Sequence, residues 1–316
     1  MFTIILLQYA HTLQSIDLGH SLHLCKSHLL TMSLRPAVYF KSLAIFLATT
    51  ALFWSCEKSQ RDLDTETLSA EENAIAYHVF DDVFREVHRF SMRDSILNDT
   101  GINQWFDDCI KKAELSDTVP VFPIVLDLKY VDLEDTTTCQ DGFKRRGKIS
   151  AVFTGKYLNS GTTITFRFVN YRKDNFDIDG EMVLTNLGVN DNGRRHFLME
   201  VTEATIAGNG FDFSWEATNT IEWIAGSSTD GIIDDDIFEY VEGISSGTNS
   251  RGNTYYSEID TPYRADCSCQ WFTAGTAELY VKNLQTRFIR YGVESVCDNK
   301  FIQERDLTTF ELSIPY

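Results

Sequence analysis

The sequence predicts a mainly β protein: a large antiparallel meander curled into a barrel or sandwich, with an N-terminal amphipathic helix packed on it. Two observations lead there. Beyond Pro120, apolar and polar residues alternate with a period of two through many successive segments. Between residues 70 and 91, apolar residues recur instead at three- and four-residue spacing. The composition suits such a fold, with 43% hydrophobic and 23% charged residues among 316. A net charge of −18 speaks against nucleic acid, whose phosphates demand clustered Lys and Arg. It also speaks against electrostatic docking on an anionic membrane.

The first elements read as an address. From Met32 the chain carries Arg35 and Lys41 as its only charges up to Cys56, around an apolar run from Ser42 to Trp54. A basic start, a short apolar core and a small residue before the cut describe a secretory signal, here 32–55. The run is too short to span a bilayer, which takes about 20 apolar residues. Ser55-Cys56 suggests a bacterial lipoprotein, with Cys56 the site of lipid attachment and the mature chain held on the cell envelope. Residues 1–31 fit no part of a signal and read as a start assigned too far upstream, with an unusually long signal region as the rival reading. Residues 56–69 are polar and aperiodic and read as a flexible tether.

Ser69 with Glu72 three residues on is a capping-box signature. Ile75, Val79, Val83, Val87 and Phe90 form one helical face, widened by Phe80 and Phe84, so a helix is expected over 70–91. A second helical piece is expected over 102–113, making 70–116 a helical segment ahead of a β domain at 117–316. In that domain Phe211, Phe213, Trp215, Ala217, Asn219, Ile221 and Trp223 alternate with polar residues, as a strand with one wet face does. Similar alternation marks 148–157, 162–171, 176–187, 195–206, 236–245, 277–282, 286–293 and 308–314. Turn chemistry separates several of them: Asn159-Ser160-Gly161, Asp191-Asn192-Gly193 and Gly208-Asn209-Gly210. No helical pattern interrupts the strands, which excludes doubly wound nucleotide-binding folds.

A series of short motifs runs through this domain in order. It begins with Cys139-Gln-Asp-Gly, Arg146-Gly-Lys-Ile, Phe153-Thr-Gly-Lys-Tyr and Gly161-Thr-Thr-Ile-Thr-Phe. Ile178-Asp-Gly, Gly243-Ile-Ser-Ser-Gly-Thr-Asn, Cys269-Gln-Trp and Cys297-Asp-Asn-Lys follow. The series resembles a group of uncharacterised β-rich lipoproteins of the Bacteroidota. The late Asp-aromatic-Gly step usual in that group is Arg290-Tyr291-Gly292 here. What the resemblance implies is architecture and an envelope location; the group has no established activity to carry over.

Individual motifs carry little chemistry. Gly243-Ile-Ser245-Ser-Gly247 matches a nucleophile elbow, but that elbow needs a following helix and a later His. Turn-rich 248–253 follows, no His lies beyond His196, and the motif reads as a hairpin turn. His78, His88 and His196 show no zinc-ligand spacing, and Cys267-Ser-Cys269 is one residue short of C-x-x-C. His78 and His88 read as the helix's polar flank. Asp177 and Asp179 open like a calcium loop, but Asn186 stands where a bidentate Glu belongs, so a solvated strand face is expected. Asp230, Asp234, Asp235 and Asp236 are the better candidates for a structural calcium ion. Tyr255, Tyr256, Tyr263 and Trp271 are candidates for stacking on a sugar ring or closing over an apolar ligand; core packing is the competing reading. No catalytic residue is assigned.

Cysteines in an exported chain are expected to pair. Residues 270–281 and 286–296 read as a hairpin centred between Asn283 and Leu284, which brings Cys269 within one residue of register with Cys297. Cys267 is the rival partner. The function expected is therefore non-catalytic: a lipid-anchored protein, at the outer membrane, that binds an apolar or sugar ligand or another envelope component. An envelope glycan- or lipid-acting hydrolase using carboxylates and a structural or adhesive surface module are the alternatives. The shape and lining of the largest cavity discriminates among the three.

Overall fold

A computed structural model describes residues 64–99, 109–130, 138–139, 141–208, 210–229, 232–292 and 296–316. The signal region, Cys56, and Asp230 lie outside these residues. Among the described residues one helix, α1 (Leu68–Arg93), precedes thirteen strands. These are β1 (Ile110–Leu115), β2 (Ile124–Tyr130), β3 (Arg145–Phe153), β4 (Thr163–Lys173), β5 (Phe176–Val189) and β6 (Arg195–Gly208). Then come β7 (Phe211–Ala225), β8 (Ile237–Thr248), β9 (Thr254–Asp266), β10 (Phe272–Val281), β11 (Arg287–Tyr291), β12 (Lys300–Arg305) and β13 (Thr308–Ser313). The strands form one antiparallel sheet in sequence order, with β1 and β13 as its unpaired edges. The fold is thus the mainly β meander expected, and its sheet curls without closing.

What it curls around is α1. Every residue from Glu72 to His88 is buried, so all sides of the helix are covered. Its neighbours span most of the sheet, from Tyr130 on β2 to Phe272 on β10. A sheet of thirteen strands needs curvature, since long twisted sheets do not stay open and flat. The helix supplies the apolar filling. Phe80 stacks on Trp215 at 5.3 Å and meets Phe168 edge-on at 5.9 Å, while Phe84 packs edge-on against Phe238 at 4.9 Å. Fully burying a side chain of this size contributes about 1.5–3 kcal/mol.

Several local expectations change. Ser69 and Glu72 do not form a capping box: α1 starts at Leu68, and the Ser69 N–H and hydroxyl both donate to Glu66 Oε1 at 2.8 Å. Glu72 instead accepts from the Ser250 N–H at 3.0 Å and from its hydroxyl at 2.5 Å. The end of the expected tether is pinned as well. Asp64 lies 2.9 Å from Arg287 and 3.2 Å from Arg305, and the Glu66 carbonyl accepts from Gln303 at 3.1 Å. Both arginines are buried and need a carboxylate, which fixes the chain ahead of the helix. Residues 110–113 belong to strand β1 rather than to a second helix; 102–108 lie outside the described residues.

Gly243–Gly247 is not a turn but the interior of β8, whose register against β9 shifts between Tyr240 and Ile244. The turn falls later, where the Asn249 side-chain oxygen accepts from the N–H groups of Arg251 and Asn253. Asp177 and Asp179 do lie on the exposed face of β5, with Phe176 and Ile178 buried between them.

Two disulfides staple the sheet: Cys109–Cys139, with Cα atoms 5.3 Å apart, and Cys269–Cys297, with Cα atoms 5.6 Å apart. The β10–β11 register pairs Gly275 with Tyr291 and Leu279 with Arg287. Its centre is therefore Asn283, half a residue earlier than the sequence suggests, and on that centre Cys269 and Cys297 are directly opposed. Cys267 is the one free cysteine among the described residues, and burial pushes its thiol up to about 12.

Candidate functional site

The polar face of α1 lies inside the sheet and carries a cluster of buried charges: Asp81, Asp82, Arg85 and Glu86. Asp82 receives Arg145 at 2.5 and 3.1 Å, and Lys173 stands 3.0 Å away. Lys173 also sits 3.8 Å over the ring of Phe143. Burial alone would raise the Asp82 pKa, but Arg145 and Lys173 overcome it and hold the carboxylate well below its usual range. The adjacent Asp81 pairs with Arg85 and accepts from the Tyr240 hydroxyl at 2.8 Å.

At the far end of α1, His88 bridges Tyr157 and Asp236. Burial lowers its pKa against the opposing pull of Asp236, so the ring is neutral at pH 7. The Tyr157 hydroxyl, whose pKa burial raises, then donates to Nδ1 at 2.8 Å, and Nε2–H donates to Asp236 at 2.9 Å. Trp223 Nε1–H donates to the second oxygen of Asp236 at 3.0 Å. A Tyr–His–Asp chain has the parts of a proton relay. Here His88 has no exposed surface and Asp236 has 1%, so no substrate reaches it and the chain is structural.

This arrangement corrects two readings of the sequence. His78 and His88 are not an exposed polar flank: both are buried, and His78 stacks on Trp271 with centroids 4.2 Å apart. Asp236 is not a free carboxylate, since both its oxygens accept from α1 or β7. Asp234 and Asp235 are exposed, and Asp235 accepts from the Thr229 hydroxyl at 2.8 Å. The aspartates therefore do not converge. No cluster of three metal-ligating side chains occurs among the described residues.

The four aromatic candidates are also dispersed. Tyr255 and Tyr263 point inward, and Tyr263 meets Tyr77 of α1 with centroids 5.3 Å apart. Tyr256 is on the outer face of β9, beside Tyr280 at 6.0 Å. Trp271 caps the interior with His78 and Tyr316. Ser245 is buried, and its hydroxyl donates to Asn73 on α1 at 2.9 Å. That same Asn73 oxygen accepts from Trp215 Nε1–H at 2.9 Å, so Ser245 helps fix the rotation of the helix.

With the interior occupied, open space lies on the outside. A groove of about 560 Å³ crosses β6 to β9. Its lining includes the carboxylates of Glu203 and Glu216 and the hydroxyls of Thr205, Ser214, Ser246 and Thr254; no Lys, Arg or His contributes. Glu203 owes its direction to a bulge between Val201 and Ala204, where its φ is 52°. Gly247 leaves the floor thin, since a Cβ there would stand 2.3 Å from the Ser214 carbonyl. A second cleft of about 390 Å³ lies along edge strand β1, lined also by Phe90, Ile96 and Leu126.

Sequence reasoning missed the groove because an outward Glu or Thr on a strand looks like any solvated position. The signal that could reveal it is register: once β6 to β9 are aligned through their turns, hydroxyl side chains gather at one end of four neighbouring strands. The fold and groove describe a helix-filled β protein with a polar outer surface. No family model, curated protein or solved structure matches the chain.

Proposed function

We propose that this chain is a lipid-anchored protein of the bacterial cell envelope, at the outer membrane, with a non-catalytic binding role. The location is supported by Arg35 and Lys41 ahead of the 42–54 apolar run, and by Ser55-Cys56 after it. The resemblance to Bacteroidota lipoproteins points the same way. Intact-mass analysis of the cell-derived protein should find an N-terminal Cys56 carrying acyl mass. A chain that keeps residues 42–54 contradicts this.

One observation carries the binding role: the groove of about 560 Å³ over β6 to β9, lined by carboxylates and hydroxyls. The interior filled by α1 favours instead the alternative of a structural or adhesive surface module. Carboxylates and hydroxyls without a basic partner favour a neutral, hydroxyl-rich ligand such as a glycan, whose hydroxyls donate to Glu203 and Glu216. They disfavour anions. Titration of the purified protein with neutral oligosaccharides, followed by calorimetry, should give saturable binding that Glu216→Gln weakens about tenfold. Binding unchanged in both Glu216→Gln and the groove-filling Thr205→Trp would remove the groove from the account. The same two carboxylates also define the alternative, a glycan hydrolase, which release of reducing ends by the wild type would reveal.

A further inference from the structure

We propose that the end of the sheet at which Asp64 joins the fold is a membrane-contact surface whose occupant is the headgroup region of a zwitterionic phospholipid bilayer. The proposal rests on Cys56 as the anchor. Asp64 is fastened to Arg287 at the start of β11 and Arg305 at the end of β12. The chain toward Cys56 therefore leaves the fold beside the β10–β11 and β12–β13 turns. Only eight residue steps separate Cys56 from Asp64. Even fully extended at about 3.3–3.6 Å per step, they hold this end within about 30 Å of the acylated residue. A flexible segment of that length averages about half as much.

The surface that this geometry presses toward lipid is graded. At the tips stand Leu307, with its full side chain in solvent at 103% exposure, and Leu284 at 41%. Exposed Arg251 and Lys282, on the β8–β9 and β10–β11 turns, add cations at the level where phosphates would lie. Next to the turns, on the outer face, are the paired rings of Tyr256 and Tyr280, with Phe288 on β11 half exposed. The hydroxyls of these tyrosines donate away from the apolar tips, to Glu258 at 3.3 Å and to Glu278. In sequence from the turns, the order is thus apolar tip, amphipathic ring, carboxylate. Tyrosine is favoured at such boundaries because one end is apolar and the other wet. Asp306 beside Leu307 limits the depth: the tip enters the headgroups, not the hydrocarbon. The opposite end, near His88, also exposes apolar side chains, Val189 and Ile232 among them, but beside the carboxylates of Asp234 and Asp235 and with no such ring pair among the described residues. What marks the first end is therefore the tyrosine pair and the nearness of the anchor.

The test uses the acylated protein in phosphatidylcholine vesicles, with and without bromine on the acyl chains near the headgroups. Leu307→Trp places a reporter at the tip, and Val189→Trp places one at the far end, where Val189 is 60% exposed. The indole added in Leu307→Trp should shift its emission to the blue and lose about half of it with brominated lipid. The indole added in Val189→Trp should show neither change. In the wild type, amide exchange over 282–286 and 305–308 should slow on vesicles. A protein that floats with the vesicles but leaves the tip reporter as unquenched as the far-end one, with exchange unaltered, overturns the proposal alone. A protein without acyl mass that stays in solution removes the anchor and the proposal with it.

Discussion

The two faces of α1 are equally buried but are held by different physics. On one, Val79, Phe80, Val83, Phe84 and Val87 pack against aromatic rings of the sheet. On the other, Asp81, Asp82, Glu86 and His88 meet charged or hydroxyl partners that the sheet supplies from β2, β3, β4 and β8 and from loops between strands, while Arg85 donates to the backbone carbonyls of Asp266 and Cys269. The apolar contacts are non-directional and tolerate small rotations of the helix. The polar ones do not. Turning α1 by one residue would separate Asp82 from Arg145 and Lys173 and leave buried charges unpaired. We therefore hold, as a hypothesis, that the apolar face stabilises the fold while the polar face selects one rotation and one height of the helix.

Two substitutions of similar size set this comparison most sharply. Phe84→Ala should cost about 3–5 kcal/mol through lost packing. Arg145→Met should cost a similar amount, about 3–5 kcal/mol, by breaking a buried ion pair and leaving Asp82 with Lys173 as its one cationic partner. Urea unfolding at several pH values then separates them. The depressed pKa of Asp82 in the folded protein means its pairing contributes stability that is present above the unfolded carboxylate value, near 3.8, and is lost as pH falls below it. The deficit of Arg145→Met should shrink on acidification, as Asp82 protonates, whereas that of Phe84→Ala should stay constant. Parallel pH profiles for the two variants would abolish the distinction.

A change that alters no side chain of either face provides the reference, although the Cys269 carbonyl accepts from Arg85 of α1. Opening Cys269–Cys297 by Cys297→Ser releases a loop of 28 residues and should cost about 3 kcal/mol on the chain-entropy model, without altering the pH profile. A pH-dependent loss would tie the disulfide to the charged interior.

How much of this was legible in the sequence follows the same division. The alternation of Phe211 to Trp223 and the spacing of Ile75 to Phe90 encode which atoms leave water, so β7 and the apolar stripe of α1 could be read directly. The hairpin holding Cys269 and Cys297 was readable to half a residue, because two short strands and a four-residue link leave little freedom. Strand β9 was harder. Exposed Pro262 and the outward Asp260 and Thr261 interrupt its alternation, which the shifts of register opposite β10 accommodate. The polar interior was not readable, since Asp82 and Arg145 lie 63 residues apart and either alone looks like a surface charge. For the same reason His78 and His88 looked exposed: a helix with a charged side predicts water there, unless a sheet is long enough to wrap it.

The smallest effect concerns those histidines. Burial lowers both pKa values, most strongly for His78, so each is neutral in the fold and gains a proton on unfolding in mild acid. The unfolded state then binds more protons, and stability falls as pH drops below the unfolded value near 6.5. Each histidine contributes at most about 1.4 kcal/mol per pH unit. Urea midpoints between about pH 7.5 and about pH 5.5 should fall accordingly, and His88→Gln should flatten the slope. An unchanged slope in that variant would mean that His88 titrates freely in the folded state.

Enclosure of α1 is the claim on which the rest depends, and chemical modification of histidine tests it most directly. Native protein treated with diethylpyrocarbonate should be modified at His196, which is partly exposed on β6, and protected at His78 and His88 until urea unfolds it. Rapid modification of His78 or His88 in the folded protein would place α1 on the surface of the sheet and contradict the account.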